Sequence, residues 1–302
     1  MPGCPASQPG ITYDEPTRGT LQLFRTRKQF DGSAADIAVL QRSGVGFQLL
    51  DAAGCIEHEP ALATVREKFV GGLLLPGDET GDCFKFTQRL AELAAERGVT
   101  FRQSVRIESL VRSGARLEGV QTDAGRLVAD AYLLALGSYS ALLLKPLGIR
   151  IPVYPVKGYS ITVPIVDPSG APELTVMDET HKVAVTRLGD RIRGGTAELA
   201  GYTLKLHEAR RHTLEHVVGD LFPRGGDLSK AEFWCGLRPR TPDGTPIVGP
   251  TEIGNLYLAT GHGTLGWTMA AGTARAIADL MSKRTPEIDL VGLTLARYRQ
   301  SP

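Results

Sequence analysis

The sequence predicts a protein of mixed α+β and α/β class with two domains, one of which contains a mainly antiparallel sheet. Three observations lead to this prediction. The chain has 302 residues, a length typical of about two domains. Residues 83–135 combine a helical period with a meander and end in a strand that is apolar on both faces. Residues 151–195 instead alternate apolar and polar side chains, as half-buried antiparallel strands do.

In the first third of the chain, the sequence pattern predicts a poorly ordered lead-in followed by short strands and helices. Residues 1–19 are rich in Pro, Gly and Ser and form the lead-in. The pattern predicts strands at 20–26 and 71–76 and helices at 33–42 and 55–62. We assign residues 20–81 to the domain with the antiparallel sheet.

The strongest helix signal covers residues 83–97, with Asp82 as N-cap and Gly98 just beyond the end. Strands are predicted to follow at 99–105, 107–113, 117–122 and 126–135. The last of them reads as a central, buried strand. Residues 82–150 therefore form the first part of the second domain, which is completed by residues 236–302.

The remaining pattern predicts strands at 153–163, 183–187 and 191–195 and a helix at 204–221, so that residues 151–235 return to the antiparallel domain. Short strands at 233–237 and 256–260 and a helix at 264–282 complete the chain.

Composition excludes several classes of protein. Hydrophobic residues make up 42% and charged residues 22%, as in ordinary globular proteins, and the net charge is +1. That charge favours neither nucleic acid nor an anionic membrane, so we expect no nucleic-acid partner. No apolar run reaches the roughly 18 residues of a spanning helix, and the first residues do not resemble a signal peptide. The cysteines (Cys4, Cys55, Cys83 and Cys235) are scattered, which indicates a reducing, cytoplasmic compartment.

Residues 261–266 fit the pattern G-x-G-x-x-G between a strand and a helix. By itself this pattern predicts dinucleotide binding, as in an NAD(P)-linked oxidoreductase. A dinucleotide-binding fold, however, needs a second strand that ends in an acidic residue about 20 residues later. Asp279 has nearly the right spacing and falls inside the helix. We therefore expect a turn that brings backbone N–H groups and the positive end of the helix to a planar or anionic group, such as a reduced flavin. A tightly packed turn without a ligand is the alternative.

Two further features concern charged side chains. Arg238 follows an apolar strand and is held by Pro239, an arrangement suited to a bidentate contact with a carboxylate. A surface arginine bonded to loop carbonyls is the alternative. His212 and His216 share a helix face, but they lack the H-E-x-x-H pattern and adjoin two arginines, so we predict no metal site there.

Six segments, 20–25, 78–82, 135–140, 154–160, 236–246 and 261–269, together resemble the bacterial D-amino acid dehydrogenase small subunit. This family belongs to the FAD-dependent D-amino acid oxidase, glycine oxidase and sarcosine oxidase superfamily. The resemblance implies a glutathione-reductase-like FAD-binding domain and a substrate domain with the antiparallel sheet. It also implies oxidation of D-amino acids, typically D-alanine, to 2-oxo acids and ammonia. Electrons would pass from FAD to a respiratory acceptor, with the chain cytoplasmic or peripheral on the inner face of the cell membrane.

The resemblance also implies roles for individual residues. Arg238 would be the catalytic residue that holds the substrate carboxylate, with Tyr159 and His181 also at the substrate. The residues implied to bind FAD are Val105, Gly137, Ser138, Lys157, Gly158, Gly261, His262, Gly263, Thr264 and Leu265.

The family begins with a βαβ unit that carries a G-x-G-x-x-G turn, and the sequence before residue 261 has no match to it. Residues 44–46 lack the third glycine. Without the unit, the FAD pyrophosphate lacks a helix N-terminus and the ribose lacks an acidic partner. We therefore expect an incomplete FAD-binding domain in a truncated chain that binds FAD poorly and is impaired by itself. A non-catalytic remnant or partner-binding subunit is one alternative, and the NAD(P)-linked oxidoreductase is another.

Overall fold

A computed structural model describes residues 11–14, 18–199 and 201–298 of the protein. Most of the predicted lead-in, including Cys4, lies outside the described residues. The strands are β1 Thr20–Phe24, β2 Gln48–Asp51, β3 Gly71–Leu75, β4 Ile107–Ser113, β5 Arg116–Thr122, β6 Gly125–Leu127, β7 Tyr132–Leu134, β8 Tyr154–Pro164, β9 Thr175–Asp178, β10 Val183–Leu188, β11 Arg191–Leu199, β12 Glu232–Arg240, β13 Ile247–Pro250 and β14 Leu256–Thr260. The α-helices are α1 Arg27–Gly32, α2 Ala34–Arg42, α3 Ala52–His58, α4 Cys83–Glu96, α5 Ser140–Leu144, α6 Glu208–Leu221 and α7 Gly266–Met281.

A sheet of eight strands dominates the structure, in the order β12-β8-β11-β10-β9-β1-β3-β2. Every neighbouring pair in it is antiparallel except β1 and β9, which run parallel. The two sequence regions that were predicted to form an antiparallel sheet do so. The predicted boundary between residues 235 and 236 falls inside β12, because that strand runs unbroken from Glu232 to Arg240 and pairs with β8 along its whole length.

Helix α6 covers one face of this sheet and creates the larger hydrophobic core. Its buried residues Leu214, Val217, Val218 and Leu221 are each 1% exposed or less, and they pack with strand residues such as Ile161. Side chains alternate between the faces of a strand. The neighbours of Ile161 in β8 therefore point to the opposite face, which is where the candidate site lies.

The second region contains two sheets of three strands, β13-β14-β7 and β4-β5-β6. Its smaller core is formed by residues that include Leu110, Leu134, Ile247 and Leu258. Helix α4 begins as predicted, since Asp82 Oδ1 accepts hydrogen bonds from the backbone N–H groups of Phe84 and Lys85.

Three sequence-based predictions for the second region are wrong. Residues 99–105 are irregular and not a strand, because none of the described strands pairs with them. The strand predicted at 126–135 is split into β6 and β7, which pair in different sheets. β7 also lies at the edge of its sheet within the described residues, with Leu133 41% exposed, where the apolar pattern predicted a central strand.

Other elements differ mainly in their ends. The helix predicted at 55–62 begins earlier, because Asp51 caps it through the N–H of Gly54, and it is followed by a 3₁₀ helix at Pro60–Lys68. The helix predicted at 204–221 begins at Glu208. The short elements α1, β2, β9 and β13 were not predicted.

Glu59 predicts a pH dependence of stability. Its carboxylate is fully buried and accepts hydrogen bonds from the N–H groups of Glu173 (2.6 Å) and Leu174 (2.8 Å). Burial raises the pKa of Glu59 to about 7, above the unfolded value of roughly 4.3. The folded state therefore holds a proton that the unfolded state releases, so stability is greatest at low pH and falls as the pH rises towards 7.

From this group we expect the free energy of unfolding to fall by about 3 kcal/mol between roughly pH 4 and pH 8. Urea unfolding at the two pH values measures this loss of stability. Glu59→Gln should remove the part of the loss that Glu59 causes, because the amide does not titrate. The same loss in both proteins would show that other groups cause it.

Among the described residues, we find no helix with the length and apolarity needed to cross a membrane.

Candidate active site

Arg238 lies near the end of β12, opposite Val156 of β8, and points to the open face of the large sheet. Its Nη1 atom is buried and has no hydrogen-bond partner among the described residues. Burial lowers the pKa of Arg238, and the neighbouring charge of Arg193 lowers it further. A buried guanidinium without a counterion is costly, so this position favours an anionic ligand.

A glycine in the next strand makes room for that guanidinium. A Cβ atom added to Gly158 would overlap Nη1 of Arg238. The guanidinium therefore occupies the space above Gly158 that a larger side chain would fill, which limits its positions before any ligand binds.

We expect Gly158→Ala to lower kcat/KM about tenfold, mainly by raising KM. The new methyl group would push the Arg238 guanidinium away from the position in which it can hydrogen-bond to the substrate carboxylate. Gly195→Ala is the matched control. It lies in the neighbouring strand, and its added Cβ would meet only the Tyr159 carbonyl oxygen, at 3.8 Å. Steady-state kinetics of both variants measure the difference. Equal kinetics for Gly158→Ala and the parent would mean that the guanidinium has room to move.

The glycine turn predicted at 261–266 lies directly beside this strand. Gly263 N–H donates to the carbonyl oxygen of Pro239 at 2.7 Å, and Arg240 and His262 form a β-bridge. Gly261 and Gly263 have φ values of +84° and +55°, which favour glycine. The turn therefore adjoins the end of β12 that carries Arg238, and a shared ligand site stays a prediction.

Helix α7 begins at this turn without a side-chain cap, so its first N–H groups remain available at the site. Thr264 lines a cavity of about 1000 Å³ together with residues of β8, β11, β12 and the segment after β11, among them Tyr154, Tyr202 and Arg240. The positive end of the helix faces this region and would stabilise negative charge there. The His262 side chain is engaged elsewhere, because its Nε2 lies 3.0 Å from Thr273 Oγ1 and its pKa is lowered by burial.

Gly137 and Ser138 also belong to this cluster. Thr260 Oγ1 donates to the Gly137 carbonyl oxygen at 2.9 Å, and Pro239 lies next to Gly137. The Tyr202 hydroxyl donates to the Ser138 carbonyl oxygen at 3.1 Å. Ser138 Oγ is buried and has no partner among the described residues. The structure thus joins the predicted residues of segments 137–138 and 261–265 with the end of β12.

Lys157 and Tyr159 point to the opposite face of the sheet from Arg238. Lys157 is fully buried and its Nζ donates to the Lys205 carbonyl oxygen at 2.9 Å. The Tyr159 hydroxyl donates to Glu198 Oε1 at 2.6 Å, and burial raises the pKa of this tyrosine. Because strand side chains alternate, only Gly158 of the three faces the site. The placement of Lys157 and Tyr159 at the flavin and substrate is therefore corrected.

His181 also lies away from Arg238. Its Nδ1 is 3.1 Å from Asp178 Oδ2, and its ring contacts that of His216 on α6, so it belongs to the helix-covered face. The prediction of a substrate contact for His181 is corrected in the same way. Val105 is half-buried in the irregular segment before β4.

Sequence reasoning missed Tyr202 and two residues of the open sheet face, Arg193 and Trp234. The guanidinium carbon of Arg193 lies 4.8 Å from the centre of the Trp234 ring. The alternation along β11 and β12 places both side chains on the face of Arg238. This alternation was readable in the sequence once the two strands were known to be neighbours of β8.

A family model described as FAD dependent oxidoreductase (DAO) matches residues 6–280 of the chain. The chain belongs to this family. Its cofactor is FAD, and the chain is accordingly a flavin-dependent oxidoreductase. The NAD(P)-linked alternative is not supported, and among the described residues no strand follows α7 to complete a dinucleotide-binding unit.

Two curated relatives of this DAO family chain are named D-amino acid dehydrogenase. The protein from Bradyrhizobium diazoefficiens is 63% identical over 290 residues, which are 96% of this chain and 69% of the relative. The protein from Xanthobacter autotrophicus is 61% identical over 297 residues, 98% of this chain and 70% of the relative.

Solved structures have the same fold. Glycine oxidase from Geobacillus kaustophilus superimposes with a TM-score of 0.84 at 25% identity, over 96% of this chain and 77% of that protein. L-proline dehydrogenase from P. horikoshii gives a TM-score of 0.80 at 19% identity, over 95% of this chain and 78% of that protein.

The residues at the site fit the flavin end of FAD. The start of α7 has no side-chain cap, Ser138 Oγ is buried without a partner among the described residues, and Gly261 and Gly263 have positive φ values, so backbone N–H groups can approach a flat, electron-rich ring. Arg238 directly precedes Pro239, whose carbonyl oxygen accepts the hydrogen bond from Gly263.

Proposed function

We propose that the chain carries out the oxidative deamination of D-amino acids, such as D-alanine, to the 2-oxo acid and ammonia. The observation that carries the proposal is the buried, unpartnered Nη1 atom of Arg238 near the glycine turn of α7. The names of the two curated relatives support the choice of D-amino acids.

Arg238 supplies the binding step. The α-carboxylate of the substrate provides the missing counterion, and a guanidinium can hold it through two parallel hydrogen bonds. Because the guanidinium is confined above Gly158, a carboxylate bound to it also restricts the position of the substrate Cα. We assign Arg238 as the catalytic residue because it touches the substrate and orients the reacting carbon.

Bound FAD would supply the oxidant for this reaction, as the acceptor of a hydride (one proton with two electrons) from the substrate Cα. The turn 261–265 and Gly137 with Ser138 would hold the cofactor, and the α7 N-terminus would stabilise the negative charge that it acquires. The substrate loses the Cα–H bond and becomes an imino acid, which water hydrolyses to the 2-oxo acid and ammonia. This chemistry needs a deprotonated amine and no protein base, so we assign none.

Electron transfer is proposed to end on a respiratory acceptor, since the curated relatives are named dehydrogenases. Peripheral association with the inner face of the cell membrane belongs to the same proposal. Reduction of a quinone analogue that exceeds the oxygen-dependent rate would support it, and formation of hydrogen peroxide at the same rate would contradict it.

The experiment combines FAD binding with turnover. The purified chain is incubated with excess FAD, filtered to remove free cofactor, and mixed without oxygen with D-alanine or L-alanine. We expect D-alanine to bleach the flavin absorbance and to reduce an added redox dye, whereas L-alanine does neither. Bound flavin that no D-amino acid bleaches would contradict the proposal and favour the non-catalytic, partner-binding alternative.

The same filtration measures the expected weakness of FAD binding. If the chain retains little flavin and requires added FAD for turnover, the sequence-based prediction of impaired binding is supported. Stoichiometric flavin that survives filtration, together with turnover, would refute it.

A further inference from the structure

The open face of the large sheet carries a second guanidinium, that of Arg193 in β11. Arg193 lies opposite Thr162 of β8 and leans over Trp234, which is itself opposite Ser160. Arg238 lies over Gly158, two residues farther along β8. Both side chains therefore lie on one face of the sheet, and the charge of Arg193 is close enough to lower the pKa of Arg238.

Neither guanidinium has an acidic partner among the described residues, although acidic side chains are close. Arg191, two residues earlier in β11, is paired with Asp82 at 2.9 Å. Glu232 lines the same cavity as Arg193 and forms no ion pair with it. Arg193 instead makes a cation–π contact, with its guanidinium carbon 4.8 Å from the centre of the Trp234 ring, which fixes its direction and leaves its N–H donors available.

The two charges repel each other. Arg193 lowers the pKa of the half-buried Arg238, in addition to the larger effect of burial. A ligand with one carboxylate would neutralise one of the two groups, whereas a ligand with two would neutralise both. Electrostatic complementarity of this kind sets specificity between substrates.

The cavity beside Arg193 provides space for a substrate side chain. It has a volume of about 820 Å³ and is lined by Phe84, Thr162, Arg193 and Trp234 among others. Its wall combines apolar surface, which suits methylene groups, with the guanidinium of Arg193, which forms no ion pair with any described residue.

We propose that Arg193, supported by Trp234, binds the side-chain carboxylate of acidic D-amino acids, D-glutamate and D-aspartate, while Arg238 holds the α-carboxylate. The inference rests on the proposed function, because it makes Arg193 the residue that selects among the substrates of that reaction.

The first test measures binding without turnover. The chain contains two tryptophans, and Trp267→Phe leaves Trp234 as the fluorescent reporter. Glutarate, an unreactive dicarboxylate, should change the Trp234 emission, and Arg193→Met should weaken its binding at least tenfold. The same substitution should weaken the binding of butyrate, which has only one carboxylate, less than threefold. Arg193→Lys should restore part of the glutarate affinity, since the charge returns without the planar fork.

The second test compares two substrates of nearly equal size. For the flavin-loaded protein, we expect kcat/KM for D-glutamate to exceed that for D-glutamine, and Arg193→Met to reduce this ratio at least tenfold. Arg224→Met, a change of an exposed arginine on the loop after α6, is the matched control and should leave the ratio unchanged.

The outcomes separate the two proposals. Failure of every D-amino acid to bleach bound flavin, with glutarate binding still dependent on Arg193, would overturn the proposed function and keep the dicarboxylate site. Turnover of D-alanine with no preference for D-glutamate over D-glutamine, or glutarate binding that Arg193→Met leaves unchanged, would overturn the role of Arg193.

Discussion

Arg238→Leu should lower kcat/KM for a D-amino acid about 100-fold, equivalent to roughly 3 kcal/mol. KM should rise, because the substitution removes the guanidinium that is proposed to hold the α-carboxylate beside the glycine turn of α7. Steady-state kinetics over a range of substrate concentrations measure both constants. Unchanged KM would remove Arg238 from the substrate site.

The same substitution should stabilise the protein. Nη1 of Arg238 is buried without a partner, and Arg193 repels the charge. Replacing such a group by an apolar side chain of similar volume is expected to raise the free energy of unfolding by about 1 kcal/mol. Urea unfolding of the ligand-free protein measures this, with Arg238→Lys as the control that keeps the charge. A loss of stability in Arg238→Leu would show that the arginine is held by contacts that offset its burial.

Asp178→Ala should have the largest effect on stability. Asp178 is fully buried at the end of β9 and accepts a hydrogen bond from Arg25 Nε at 2.8 Å. Arg25 also binds Asp220 of α6, which Lys68 contacts in turn, so the network joins β1, β9 and α6. Removing one partner leaves the largely buried Arg25 cation uncompensated, and we expect a loss of about 3–5 kcal/mol.

Urea unfolding at neutral pH measures that loss. Asp178→Asn is the matched control, because it keeps an acceptor for the Thr180 N–H but removes the charge and the oxygen that accepts from Arg25. It should cost less than the alanine variant. A loss below about 1 kcal/mol for Asp178→Ala would mean that Asp220 and water compensate Arg25.

The pH dependence of this network has the opposite sign to that of Glu59. Burial by itself would raise the pKa of Asp178, but hydrogen bonds from Arg25 and His181 outweigh it and lower the pKa. The stabilisation is therefore complete above the unfolded value of roughly 3.9 and is lost as the pH falls through the lower folded value. The difference in stability between the parent and Asp178→Asn should shrink on acidification.

The sequence correctly predicted those helices and strands whose ends are set by nearby residues, such as caps and turn glycines. Helix α4 was predicted because Asp82 caps it and Gly98 follows it with a φ of +90°. Strand β4 was predicted with its observed ends, since its turn glycine, Gly114, has a φ of +56°. Residues 99–105 have the same composition as a strand, yet they are irregular because strand structure depends on a partner that local sequence does not reveal.

The candidate site shows a similar division. Arg238 and the turn at 261–266 were predicted from local patterns, and the turn is hydrogen-bonded to Pro239, the residue after Arg238. The sequence could not tell which face of β8 binds ligand, since a strand has two faces and helix α6 determines which one is covered. Lys157 and Tyr159 were placed on the wrong face for this reason. Arg193 was missed because its proximity to Arg238 depends on the order of β11, β8 and β12.

The pair of unneutralised arginines on one sheet face has a practical consequence for handling the protein. Citrate, sulfate and phosphate are multivalent anions that will occupy this positive surface, whereas chloride screens it only weakly at low ionic strength. Kinetics recorded in phosphate buffer will therefore show an inflated Michaelis constant, and citrate in the storage buffer will protect the purified protein from denaturation.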